Sequence, residues 1–179
     1  GAARKCLQEP RIRAMIALAQ SDPRIRVVAE QLDTDPGVLN VLNGTLDLRT
    51  GELRPHRAED LITKIAPVDY DPAATCPIWD AFLSRILDGN KDLIRFLQEA
   101  VGYALTGDIS EQVVFLLYGT GANGKSTFLE TLTDLFGDYW AKMNSETLVD
   151  SKRSAGAASE DVARLAGARF VTAVEIPPN

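Results

Sequence analysis

The sequence predicts an α/β core, incomplete within this chain, preceded by a mainly helical region that carries a small antiparallel β unit. Three observations predict it. The apolar run Val113–Tyr118 enters a glycine-rich turn ending in Gly-Lys-Ser, and apolar residues at helical spacing follow from Phe128. Residues 38–66 are rich in β-branched and apolar residues with tight-turn signals between them. The stretches 10–32 and 77–106 carry apolar residues at the period of a helix.

Composition bounds the rest. With 45% hydrophobic and 25% charged residues in 179, the chain can bury a core and is not of the disordered class. No apolar run approaches the ~20 residues of a membrane span, and no apolar leader opens the sequence, so a cytoplasmic protein without a membrane partner is expected. Cys6 and Cys76 lack metal-ligand or disulfide-framework spacing and read as reduced thiols. His56, the single histidine, lies between Pro55 and Arg57 and reads as a surface loop residue. The net charge of −6 argues against a surface coated for nucleic acid, yet residues 1–30 carry six basic against three acidic side chains. A solvated helix face accounts for that bias, with a DNA contact as the sharper alternative.

In chain order, residues 10–32 read as one or two helices broken near Pro23, with Ile12, Met15, Ile16, Leu18 and Ala19 on a packing face. Asn43-Gly44 marks a tight turn; Leu46 and Leu48 alternate with Thr45 and Asp47; Thr50-Gly51 marks a second turn before Glu52-Leu53-Arg54. Asp47 and Glu52 read as exposed strand and turn residues, not a catalytic carboxylate pair. Pro67 to Pro77, with three prolines, is an extended connector. Pro77 opens a helix whose apolar face is Ile78, Trp79, Phe82, Leu83, Ile86 and Leu87, ended by Asp88-Gly89. Trp79 in such a stripe reads as core rather than as a base-stacking platform. A further helix runs from about Asn90 to Gly107, with Leu93, Ile94, Leu97, Val101 and Leu105 on one side. Residues 1–107 form an accessory domain on this reading, with the β unit at 38–66 and helices at 77–106. Residues 108–179 form the beginning of a second domain.

That second domain starts with Val113–Tyr118 as a buried strand, followed by Gly119-Thr120-Gly121-Ala122-Asn123-Gly124-Lys125-Ser126-Thr127, which satisfies G-x-x-x-x-G-K-[ST]. Glycines let the backbone curl so that successive N–H groups face phosphate oxygens, and the helix that begins there adds its positive end. Backbone N–H groups from Gly121 to Thr127 would cradle a nucleotide's phosphates. Lys125 would reach the β- and γ-phosphates, and the Ser126 hydroxyl would bind Mg²⁺. Phe128, Leu129, Leu132, Leu135 and Phe136 continue the helix to Gly137. Asp138–Val149 holds room for a short strand, 150–159 reads as a loop exposing Lys152 and Arg153, and Ser159 caps a short helix ended by Gly167. Arg169–Glu175 reads as a short buried strand with an acid at its end. It is expected beside Val113–Tyr118, so that Glu175 serves the metal ion, the attacking water or both.

Asn43–Gly51, Pro77-Ile-Trp79 with Phe82, Gly102-Tyr103, the 119–127 loop and Arg169-Phe-Val with Glu175 occur in an order that resembles the phage and plasmid primase–helicases related to the poxvirus primase–helicase, in helicase superfamily 3. The resemblance covers about residues 35–179. It implies an incomplete P-loop NTPase core of the AAA+ type, ATP with Mg²⁺ as cofactors, single-stranded or forked DNA as partner, and a hexameric ring of like subunits. It further implies an ATP-driven unwinding activity in phage or plasmid replication, often behind a primase domain. The family's sensor residue, arginine finger and DNA-contacting stretch have no counterpart here, nor has a primase catalytic cluster. The chain therefore reads as a piece of a larger protein or a truncated product, expected to bind nucleotide weakly and not to unwind DNA alone. The rivals are another P-loop enzyme, such as a small-molecule kinase, and an assembly or DNA-binding module with a vestigial nucleotide site.

Overall fold

The hairpin expected at Asn43-Gly44 forms, with its turn one residue earlier. In the computed structural model, which describes residues 9–20, 22, 25–119, 121–145 and 163–173, strand β1 (Val38–Val41) pairs antiparallel with β2 (Gly44–Asp47). Val41 stands opposite Gly44, so Leu42 and Asn43 make the turn. The reason is tertiary: the Asn43 amide donates to the Tyr70 carbonyl (2.9 Å) and accepts from the Tyr70 N–H (3.0 Å). Strand β3 (Leu53–Arg54) pairs with β2 and completes the order β1-β2-β3. The second turn is built on Asp47, whose Oδ1 accepts from the Arg49 and Thr50 N–H groups. Asp47 is thus a turn residue, as expected, and Glu52 is exposed. The proline-bearing connector lies along the free side of β1, where Ala66 donates to the Asn40 carbonyl and Leu42 to that of Val68.

Helix α1 (Glu9–Gln20) forms but buries no residue, so the packing expected of Ile12, Met15 and Ile16 is not found among the described residues. Helix α2 (Pro77–Ile86) starts on Pro77, whose missing N–H costs nothing in the first turn. Trp79, Phe82, Leu83 and Ile86 form its packed stripe. Ile78, about 100° round from Trp79, was expected on that face and is 85% exposed. Helix α3 (Lys91–Thr106) is capped by Asn90, whose Oδ1 accepts from the Leu93 N–H (3.0 Å), and stopped by Gly107 in the left-handed region. Helix α4 (Lys125–Phe136) buries Phe128, Leu132 and Phe136, one residue per turn on one face.

The strand that the sequence left unplaced after α4 is β4 (Trp140–Lys142); it pairs in parallel with β5 (Phe170–Thr172). This corrects the expected neighbour of β5. Val113–Tyr118, expected as a buried strand, is in no sheet, with Val114, Leu116 and Tyr118 at 75%, 79% and 93% exposure. A parallel strand needs ladder partners at its edge and cover on both faces, and the described residues supply neither to this run. One apolar cluster holds the rest together: Leu39 and Val41 of β1 with Ala66 beside that strand, Leu83 of α2, Phe128, Leu132 and Phe136 of α4, and Tyr139. It draws on both sides of residue 107. Trp79 belongs to that core, as expected, and His56 and Cys76 are exposed. Cys6, the loop 150–159, the Ser159 cap and Glu175 lie outside the described residues. Among the described residues, no helix is long and apolar enough to cross a membrane.

Candidate nucleotide phosphate site

Gly121 to Gly124 lead directly into the start of α4. Gly121, Ala122 and Gly124 all have positive φ, at 98°, 48° and 82°. An alanine in that region is strained by about 1 kcal/mol or more, and such residues persist where surrounding structure holds them, often at ligand sites. Glycine is required at Gly124. There the positive φ disfavours any side chain, and a Cβ would lie 2.7 Å from the Ile86 Cγ2. At Gly119 a Cβ would overlap the Asn123 side-chain amide and stand 3.4 Å from the Lys125 ammonium.

Lys125 folds back across the loop. Its ammonium donates to Asn123 Oδ1 (2.8 Å) and to the Gly119 carbonyl (3.3 Å), so a positive charge stands over the curl. The first intrahelical bond of α4 runs from the Phe128 N–H to the Gly124 carbonyl (2.9 Å), and no side chain caps the helix. The Lys125, Ser126 and Thr127 N–H groups therefore precede the helical ladder, as the opening turn of any helix requires. Ser126 and Thr127 are exposed. The structure thus brings together Gly119, Gly121, Ala122, Asn123, Gly124, Lys125, Ser126 and Thr127; Thr120 and Glu175 lie outside the described residues. Among the described residues no group of three or more His, Cys, Asp or Glu side chains could hold a metal ion. The donor set is one that fits a phosphate chain: an ammonium, helix-opening N–H groups and a hydroxyl. A Mg²⁺ here would need the phosphates as ligands beside Ser126.

Sequence reasoning missed Arg169 as a structural residue. Its guanidinium donates to the Leu105 carbonyl (2.6 Å) and the Val38 carbonyl (2.8 Å), and lies 4.6 Å from the centre of the Tyr139 ring. Its own N–H donates to the Tyr139 carbonyl (2.8 Å). Burial pushes its pKa below the ordinary guanidinium value. One side chain so ties the start of β5 to α3 and β1. Backbone carbonyls as partners leave no sequence signature, and that is why the role was invisible. Tyr139 is placed similarly: its hydroxyl accepts from the Asn40 N–H (3.1 Å) and donates to the Lys64 carbonyl (3.2 Å), and burial raises its pKa.

Comparison with known proteins adds a second line. Residues 2–88 match a family model described as D5 N terminal like, a span that ends just after α2 and before the Gly119–Thr127 loop. The chain is 29% identical over 143 residues to "Putative helicase L207/L206" of Acanthamoeba polyphaga mimivirus, covering 77% of this chain and 15% of that protein. It is 27% identical over 150 residues to "Putative primase C962R" of African swine fever virus (isolate Tick/Malawi/Lil 20-1/1983), covering 80% and 16%. With "Putative helicase 022R" of Frog virus 3 (isolate Goorha) it shares 24% identity over 200 residues, 76% of this chain and 20% of the relative. The matched region is thus a fifth or less of each relative's length. These matches support kinship with primase–helicase proteins, here from large DNA viruses, where the sequence resemblance pointed to phages and plasmids.

Proposed function

We propose that this chain contributes the accessory region and the phosphate-binding end of an ATP-driven motor in a replication primase–helicase. The observation that carries the reading is the loop geometry: a curl with three positive-φ residues closes onto an uncapped helix start, with Lys125 folded over it. Kinship with proteins named as helicases and primases supports placing that loop in a DNA-replication enzyme.

On this reading ATP lies with its β- and γ-phosphates against the N–H groups from Gly121 to Thr127. Lys125 exchanges its contacts with Asn123 and Gly119 for phosphate oxygens, and Ser126 contributes its hydroxyl to Mg²⁺. The metal ion, when bound, neutralises charge between those phosphates. Glu175 is assigned to the metal or the attacking water. DNA as the partner and a ring of like subunits belong to the same proposal, which concerns the whole protein.

The test is ATP turnover with and without single-stranded DNA. Lys125→Ala is expected to lower turnover by about 10²-fold or more, the scale of losing a charge that stabilises the transferring phosphoryl group. Far-ultraviolet circular dichroism should stay unchanged. Turnover in Lys125→Ala equal to that of the unsubstituted protein refutes the assignment. Turnover indifferent to DNA separates a small-molecule kinase from a helicase.

A further inference from the structure

The phosphate loop rests on a helix of the accessory region. The point at which a Gly124 Cβ would sit is 2.7 Å from Ile86 Cγ2 and 3.2 and 3.3 Å from two ring atoms of Phe82. These two residues are four apart and share one face of α2. One turn earlier, Trp79 stacks on Phe82 (centroids 5.3 Å apart) and also on Phe128 (5.7 Å, planes 14° apart). Phe128 is the buried residue whose N–H closes the first turn of α4 on the Gly124 carbonyl. The apolar face of α2 therefore touches the loop at both of its anchoring points, the last glycine and the first helical turn. The loop's outer part, Gly121 to Asn123, is exposed and has no such support.

We propose that Phe82 and Ile86, braced by Trp79, are positioning residues for the phosphate loop: they hold Gly124 and the start of α4 in the nucleotide-ready curl and make the accessory region part of the nucleotide site. This rests on the reading that the loop binds ATP. The physical argument is preorganisation. A loop with three positive-φ residues has many open alternatives, and ordering it at the moment of binding would cost affinity. Aromatic contact with Gly124 and the first turn of α4 removes part of that cost beforehand.

The test is titration of the 179-residue chain with a fluorescent ATP analogue and Mg²⁺, alongside thermal unfolding. Phe82→Ala is expected to weaken binding about tenfold and Phe82→Leu about threefold, since displacement of a positioning contact costs of this order. Leu46→Ala, in the hairpin core, should lower Tm as much as Phe82→Ala does while leaving Kd unchanged. Unchanged Kd in both Phe82 variants overturns the proposal, as does a Leu46→Ala chain whose Kd rises equally. Should Phe82→Ala fail to fold, Phe82→Leu decides alone, with a wild-type Kd counting against the proposal. Lack of binding by the unsubstituted chain, or equal binding by Lys125→Ala, brings down the ATP reading itself. That pattern is distinct from a binding chain indifferent to Phe82.

Discussion

Arg169 shows what a single side chain contributes when its partners are carbonyl groups. It serves Leu105 and Val38, 64 and 131 residues away in sequence, and covers the Tyr139 ring. Hydrogen bonds to a charged group contribute more than neutral ones, and truncation leaves two carbonyls to find other donors. Arg169→Met is expected to destabilise the chain by about 2–3 kcal/mol, read as a lower urea midpoint at unchanged slope. Arg169→Lys keeps the charge but not the fork that reaches two acceptors at once, and should recover less than half of the loss. At the loop, Lys125 and Gly124 were legible because the motif states which residue types a phosphate curl needs. The Phe82 and Ile86 support was not legible, since an apolar stripe on α2 announces packing without saying against what.

Among elements, the helices were read well where their ends are written locally. Pro77 starts α2, Asn90 and Gly107 bound α3, and Gly137 follows α4. The hairpin was legible for the same reason, apart from the one-residue shift that Tyr70 imposes through Asn43. Val113–Tyr118 was misread because a continuous apolar run indicates only that burial is available, and a strand exists only with a neighbour. Strand β3 carries an ion pair that no spacing rule flagged: Arg54 grips Asp60 of the short 3₁₀ turn Ala58–Asp60 through two bonds of 2.7 and 2.8 Å. The bonded guanidinium holds the Asp60 carboxyl below its ordinary value of 3.8. Its folded pKa lies below the unfolded one, so the stability it contributes is present above 3.8 and lost as pH falls through the folded value. Asp60→Asn should therefore lower Tm at neutral pH. The gap from the unsubstituted chain should close below pH 3.8, as followed by circular dichroism in acid titration.

At the scale of the molecule, the core is one cluster made by the hairpin, α2, α4 and Tyr139 together. Tyr139 is its hub at 1% exposure, joining Asn40 and Lys64 through one hydroxyl. Tyr139→Phe keeps the ring and strands the Asn40 N–H, for an expected loss of about 1–3 kcal/mol by denaturant unfolding. The loss should appear equally in probes of the hairpin and of α4 if the cluster unfolds as one unit. The sequence by itself determined the Gly119–Thr127 motif, the limits of α2, α3 and α4, the presence of the two turns and the kind of molecule the chain resembles, because each depends on residues near one another. Only the tertiary structure decided that β5 lies beside β4, that Arg169 and Tyr139 bind distant carbonyls, and that α2 underlies the loop. Those are pairings between segments tens of residues apart, made through backbone groups that every residue carries and through apolar faces that fit many partners.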